Sequence, residues 1–242
     1  MGPDLRDSMR RYYDARASEY EEAYLIGTGT ASITDPEIFR REVSVLAGIV
    51  ERFGRGRLID LACGTGFWLP FYAPRCSAIT LIDQAPRMLD ECRKKIAVLD
   101  GTERMTVVHG DVLEHPFAQG AYDSALVGFL LSHLTDAQEQ LLFERLRSML
   151  DVEGRFLILD SAWSLERARF NAKTERQERR LNDGTTFEIH KRYIDRQDII
   201  GWETKYGVET RIEHFGAAFL AVSGSQAKMT VSVGGSAQSS SA

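Results

Sequence analysis

The chain has 242 residues, 43% of them hydrophobic and 27% charged, with a formal net charge of −5. That is enough apolar material for a sizeable core and too much for a disordered chain. The acidic balance argues against a broad grip on nucleic acid, and no apolar run approaches the roughly 18 residues of a membrane span.

The N-terminal segment, from about Pro3 to Leu25, is predicted helical, with Tyr13, Tyr20 and Tyr24 spaced i, i+7, i+11 on one face and Tyr12 beside them. Charge throughout these residues leaves no apolar centre for a signal peptide. Arg6 stands where a myristoylation signal needs Ser or Thr. Gly27-Thr-Gly-Thr breaks the helix. Asp35-Pro36 opens a second one, whose apolar positions Phe39, Val43, Leu46, Ile49, Val50 and Phe53 recur at helical spacing until Gly54.

From there strands alternate with helices. Strands are predicted at Arg57–Ala62, Ser77–Asp83, Met105–His109, Tyr122–Phe129 and Gly154–Asp160. Helices are predicted from near Phe67, over Pro86–Val98, and over Asp136–Leu150. Such alternation implies βαβ units and a parallel sheet covered on both faces. Ser164–Leu181 then reads as a charged helix, Thr185–Ile194 as a strand, Asp195–Tyr206 as a helix and His214–Val222 as a last strand. From Ser223 the chain turns Gly/Ser-rich and is expected to be disordered. The three cysteines, Cys63, Cys76 and Cys92, are odd in number and lack C-x-x-C spacing. This argues against a disulfide framework or zinc site and fits a reducing cytoplasm.

The segment with the most chemical information is Asp60-Leu-Ala-Cys-Gly64-Thr-Gly66, directly after a strand and before a helix. Gly64 and Gly66 allow a tight turn and close backbone approach to a ligand. The helix that follows is expected to aim free N–H groups at a carboxylate or phosphate. Alone, such a turn is weak evidence. Asp83, 17 residues after Gly66, ends the second strand, where a carboxylate can accept hydrogen bonds from both ribose hydroxyls. Gly110-Asp111-Val112 follows the third strand and adds a carboxylate in reach of an adenine amino group. A nicotinamide dinucleotide would need Gly or Ala where Leu69 stands.

In these motifs the chain resembles the class I S-adenosylmethionine-dependent methyltransferases: DLACGTG as their first motif, LID ending in Asp83 as the acidic ribose position, GDV as the adenine loop, Tyr122-Asp123 opening the fourth strand, and Gly154-Arg-Phe-Leu-Ile-Leu-Asp as the fifth. The resemblance covers about residues 10 to 222. It implies an α/β, Rossmann-like fold with a mostly parallel seven-stranded sheet and helices on both faces. It further implies one domain over residues 1–222, with a helical cap over 1–53 and an inserted lid and hairpin over 164–194, the hairpin expected at Thr185–Tyr193 to hold the lid. S-adenosyl-L-methionine would then be the cofactor, held by Asp60, Ala62, Gly64, Gly66, Asp83, Gln84, Met88, Gly110, Asp111, Val112 and Phe129.

The subfamily follows from what the motifs lack. No Asn/Asp-Pro-Pro-Tyr/Phe loop and no cysteine nucleophile follows the fourth strand, where the chain reads Gly128-Phe-Leu-Leu-Ser-His133. Tyr13-Asp-Ala-Arg-Ala-Ser-Glu-Tyr20 resembles the N-terminal signature of metal-independent enzymes that methylate small molecules. His133 is the candidate base, because an imidazole takes a proton near pH 7 and the carboxyl edge of the sheet is where ligands bind; the alternative is a structural hydrogen bond. Tyr13 and Tyr20 are candidates to close over the reacting centre, or ordinary packing. On a helix, Arg169, Lys173, Arg176 and Arg180 would form one basic stripe at i, i+4, i+7, i+11. This is either a solvated face or a lid for an anionic acceptor, with Lys191 and Arg192 nearby. The expected function is methyl transfer to O or N of a small metabolite, anionic if the basic stripe faces the pocket, without metal, nucleic acid or membrane. The alternatives are a protein or RNA methyltransferase of this fold, or a non-catalytic cofactor-binding protein.

Overall fold

The computed structural model describes residues 3–25 and 35–227. Five parallel strands form where short apolar runs predict them: β1 (Gly56–Leu61), β2 (Cys76–Asp83), β3 (Met105–His109), β4 (Tyr122–Gly128) and β5 (Leu150–Ser161). Past β5 lie a separate antiparallel hairpin, β6 (Thr174–Arg180) and β7 (Thr186–Arg192), and a second hairpin, β8 (Val208–Phe215) and β9 (Phe219–Gln226). The sheet order is β3-β2-β1-β4-β5-β9-β8, and β9 runs against its neighbours. Chain direction across the sheet reverses between β1 and β4, so a crevice opens beyond their carboxyl ends, as at the ligand site of other open α/β sheets.

The helices are α1 (Pro3–Arg16), α2 (Glu22–Leu25), α3 (Pro36–Phe53), α4 (Leu69–Tyr72), α5 (Pro86–Ile96), α6 (Asp136–Met149) and α7 (Arg196–Tyr206). Local signals start them. The Asp35 carboxylate accepts from the Glu37 N–H ahead of α3, and capping boxes formed by Thr135 with Gln138 and by Asp195 with Asp198 open α6 and α7. Side chains alternate across each strand, so the core splits in two. Leu58, Leu81, Leu126 and Leu157 pack with α3 and α4 on one face, and Ile59, Ala125, Val127 and Ile158 pack with α6 and α7 on the other.

Four expectations are corrected. First, the N-terminal helix ends at Arg16; residues 17–21 form a turn before α2, so Tyr13, Tyr20 and Tyr24 do not share one helical face. Second, α4 is a single turn, too short to present a helix N-terminus to a ligand. Pro74 lacks the N–H that would bond the Pro70 carbonyl and extend it. Third, the segment around 164–181 is not a helix. It is a loop with a 3₁₀ turn at Arg167–Arg169, followed by β6. Fourth, the last predicted strand is two strands joined across residues 216–218, and Ser223–Gln226 belong to β9 rather than to a disordered tail. The expected break at Gly27-Thr-Gly-Thr and the remaining tail from residue 228 lie outside the described residues.

Candidate functional site

At the carboxyl ends of β1 and β4 the backbone adopts an uncommon conformation. Ala62 (φ +59°) and Phe129 (φ +56°) are the two non-glycine residues with positive φ among the described residues. Each costs on the order of 1–3 kcal/mol and persists where the surroundings demand it. Both line one cavity. Gly64 (φ +55°) joins them, and a Cβ there would project toward Tyr20 and Met88 at 3.8 and 4.0 Å, so the backbone conformation, not crowding, is what requires glycine. Gly66 (φ +72°) serves packing instead, because its Cβ would meet the Cys92 Sγ at 2.8 Å.

Of the expected cofactor residues, Ala62, Gly64, Asp83 and Gln84 line this cavity, as do Met88, Asp111, Val112 and Phe129. Asp60, Gly66 and Gly110 are set behind it. Gly110 ties the adenine-side loop to β2 through its N–H to the Asp83 carbonyl (3.0 Å). The Asp83 carboxylate is 8% exposed and accepts from the Gly64 N–H (2.9 Å) and the Ala85 N–H (2.8 Å). Burial raises its pKa, and those backbone donors oppose the rise. Each oxygen keeps a lone pair for a hydroxyl donor, which suits the two hydroxyls of a ribose. Asp60 accepts from the Tyr72 hydroxyl at 2.7 Å, and burial pushes its carboxyl up to about 7. The cavity therefore combines a strained turn, a buried carboxylate and apolar walls, which fits a nucleoside with a cationic methionyl arm.

A second cavity adjoins the first, and Tyr13, Tyr20, Phe129 and His133 line both. Here two of the sequence candidates meet. The His133 Nδ1 lies 2.7 Å from the His190 carbonyl oxygen, which can only accept, so Nδ1 carries the proton. The bare Nε2 then accepts from the Tyr13 hydroxyl at 2.7 Å. Burial drives the pKa of His133 well below its usual value, and the Lys191 charge adds to this, so the ring is neutral at pH 7. Burial raises Tyr13 well above 10. The turn holding His133 is fixed from below, where the buried Asp160 carboxylate accepts from the Ser132 and Ser161 N–H groups. Tyr20 reaches Tyr24, hydroxyl to hydroxyl, at 3.0 Å, while Tyr12 and Tyr24 are core residues.

The predicted basic stripe does not assemble. Lys173 pairs with Asp195 and Asp198, Arg176 with Glu188, and Arg169 with Glu166. Arg176 and Arg180 point outward from β6, because alternation on a strand replaces the four-residue spacing of a helix. The cations that do reach the second cavity are Arg16, Arg167, Arg179 and Lys191. Asp183-Gly184, in the hairpin turn with Gly184 at φ +90°, was the available signal for a strand pair here. All three cysteines are buried, and burial raises the Cys63 thiol well above its usual range. Among the described residues no group of three or more His, Cys, Asp or Glu is placed to hold a metal, and no helix is long and apolar enough to cross a membrane.

Residues 58–154 match a family model described as a methyltransferase domain. The chain is 32% identical over 83 residues to a demethylmenaquinone methyltransferase of Staphylococcus aureus, a match that spans 33% of each chain. Among solved structures, the DhpI–SAH complex superposes with a TM-score of 0.73 at 22% identity, covering 94% of this chain and 99% of the other. The 1,6-didemethyltoxoflavin-N1-methyltransferase of Burkholderia thailandensis gives a TM-score of 0.61 at 12% identity, covering 94% and 92%. The sheet order and these superpositions give the chain the fold of solved S-adenosylmethionine-dependent methyltransferases, and the glycine turn with its two carboxylates lies within or beside the residues that are similar to a methyltransferase domain.

Proposed function

We propose that the protein transfers the methyl group of S-adenosylmethionine to an O or N nucleophile of a small molecule. The observation that carries this reading is the Tyr13–His133 pair at the junction of the two cavities, where a donor methyl on one side would meet a nucleophile on the other. Asp83 would hold the ribose, Asp111 the adenine side, and the Gly64 turn the methionyl arm. When bound, the cofactor supplies a methyl already activated on a sulfonium. The chain's own residues then have three tasks: to orient the acceptor, to exclude water and to remove a proton. Phe129 and Tyr20 close the junction. As the acceptor's proton moves to the Tyr13 oxygen, the Tyr13 proton moves to His133 Nε2, so that neither residue needs to ionise in advance. A small acceptor is supported by proteins similar to this chain that are named for small acceptors, demethylmenaquinone and 1,6-didemethyltoxoflavin. The test is S-adenosylhomocysteine release with a panel of small O- and N-nucleophiles, beside protein and RNA substrates. Release with a small nucleophile, lost in His133→Ala, is expected. Turnover only with macromolecules, or none with any acceptor, would overturn the reading.

A further inference from the structure

The two cavities differ in charge. Asp83 and Asp111 line the first, whereas among the described residues no carboxylate lines the second, which Arg16, Arg167, Arg179 and Lys191 surround. Three of these cations, Arg16, Arg167 and Lys191, are deeply buried, and the two beside Tyr193 are mostly answered by neutral groups. Arg167, 3% exposed, donates to the Ala162 carbonyl (3.0 Å) and the Ala218 carbonyl (2.7 Å) and lies 4.5 Å over the Tyr193 ring. Lys191, 7% exposed, donates to the Ser132 hydroxyl at 2.6 Å, with its ammonium 5.6 Å from the Tyr193 ring centre. Its nearest carboxylate, Asp160, is 3.9 Å away and already accepts two backbone N–H groups. Arg179 reaches the same spot from β6, through Gln177, whose amide donates to the Tyr193 hydroxyl at 3.0 Å.

Burying a cation without full compensation is costly, because it gives up the hydration of the charge. Mutual repulsion among Arg167, Arg179 and Lys191 adds to that cost, and with burial it presses Lys191 down to about 7. An anion entering the cavity would relieve all three at once. Resting on the methyltransfer reading, we propose that the second cavity takes the methyl acceptor by an oxyanion, a carboxylate or phosphate-type group, held by Arg167, Arg179 and Lys191 beneath the Tyr13–His133 pair. Guanidinium forks and an ammonium suit such a group through charge-assisted hydrogen bonds. The same anion offsets the cations that oppose protonation of His133, so acceptor binding makes that base stronger when it is needed.

The test is calorimetric titration with inorganic phosphate and with acetate, on the protein alone and saturated with S-adenosylhomocysteine. The wild-type protein is expected to bind at least one anion in both states. Tighter phosphate identifies a dianionic group, and tighter acetate a carboxylate. Arg179→Gln and Lys191→Met are each expected to weaken anion binding about tenfold or more. They should keep the wild-type affinity for S-adenosylhomocysteine, which also shows that they fold. Arg176→Gln, on the outward face of the same strand, serves as control and should bind anions like the wild type. Failure of the wild-type protein to bind either anion, or variants that bind like wild type, would refute the proposal. Displacement of the anion by S-adenosylhomocysteine would refute it too, by assigning the cations to the cofactor's own carboxylate. If S-adenosylhomocysteine itself does not bind, the methyltransfer reading fails instead.

Discussion

Replacing Tyr13 with Phe removes one oxygen from the centre of the site and leaves the ring. The lost bond is the 2.7 Å donation to His133 Nε2, whose residue is 6% exposed and whose other nitrogen is committed to the His190 carbonyl. An acceptor left unsatisfied in such a place costs about 1–3 kcal/mol. For a chain of this size that lowers the melting temperature by roughly 2–4 °C per kcal/mol. The kinetic consequence is the sharper one. Without the hydroxyl the acceptor's proton has no relay to Nε2, and loss of a positioned proton acceptor lowers turnover by about 10²-fold, close to 2.7 kcal/mol. His133→Ala should lower it by roughly 10²–10⁴-fold. Neither variant should change the affinity for S-adenosylhomocysteine by more than about threefold, because Asp83 and the Gly64 turn are untouched. Calorimetry, thermal melts and S-adenosylhomocysteine release at saturating acceptor measure the three quantities. The acceptor must carry a proton on its nucleophile, since an anionic nucleophile needs no base. A Tyr13→Phe variant with a lowered melting temperature and turnover within threefold of wild type would show that the pair is structural.

Four other outcomes follow from the geometry. Asp83→Ala should weaken S-adenosylmethionine binding by ~1–3 kcal/mol; unchanged affinity by calorimetry in a folded variant would sink the ribose assignment. Gly64→Val forces a β-branched residue to φ +55° and should abolish cofactor binding, which equilibrium dialysis would read directly. Asp60 has a folded pKa of about 7 against 3.8 for the free group, so the stability it lends is complete below about pH 4 and is lost as pH rises through 7. Asp60→Asn, neutral throughout, should therefore gain in melting temperature relative to wild type between pH 5 and pH 8, and parallel curves would contradict the buried-charge argument. Arg169→Gln, Lys173→Gln, Arg176→Gln and Arg180→Gln should each change the acceptor KM less than about twofold, because the first three are paired with carboxylates and Arg180 is exposed on the outward face of β6; a tenfold rise in any of them would return that residue to the substrate site.

The sequence by itself determined the sheet and the cofactor side. Strand-forming apolar runs ending in Asp60, Asp83 and His109, with Gly64 and Gly66 in the first turn, are local patterns: a few adjacent residues carry both the fold and the ligand chemistry. Most helix starts were legible for the same reason, since a cap is written within four residues. Tertiary structure alone decided the acceptor side. The segment Thr-Glu-Arg-Gln-Glu-Arg-Arg is rich in helix formers, yet it pairs as β6 with β7, whose Phe187 and Ile189 pack on Met9 and Tyr12 of α1. Pairing energy from a partner strand overrides a weak local preference. The change of period from 3.6 to 2 then turns Arg179 inward and leaves Arg176 and Arg180 in solvent. Residues 13, 133, 179 and 191 meet only because α1, the turn after β4 and the β6–β7 hairpin converge over the crevice. No spacing along the chain records that convergence, because it depends on which faces bury against one another rather than on which residues are neighbours in sequence.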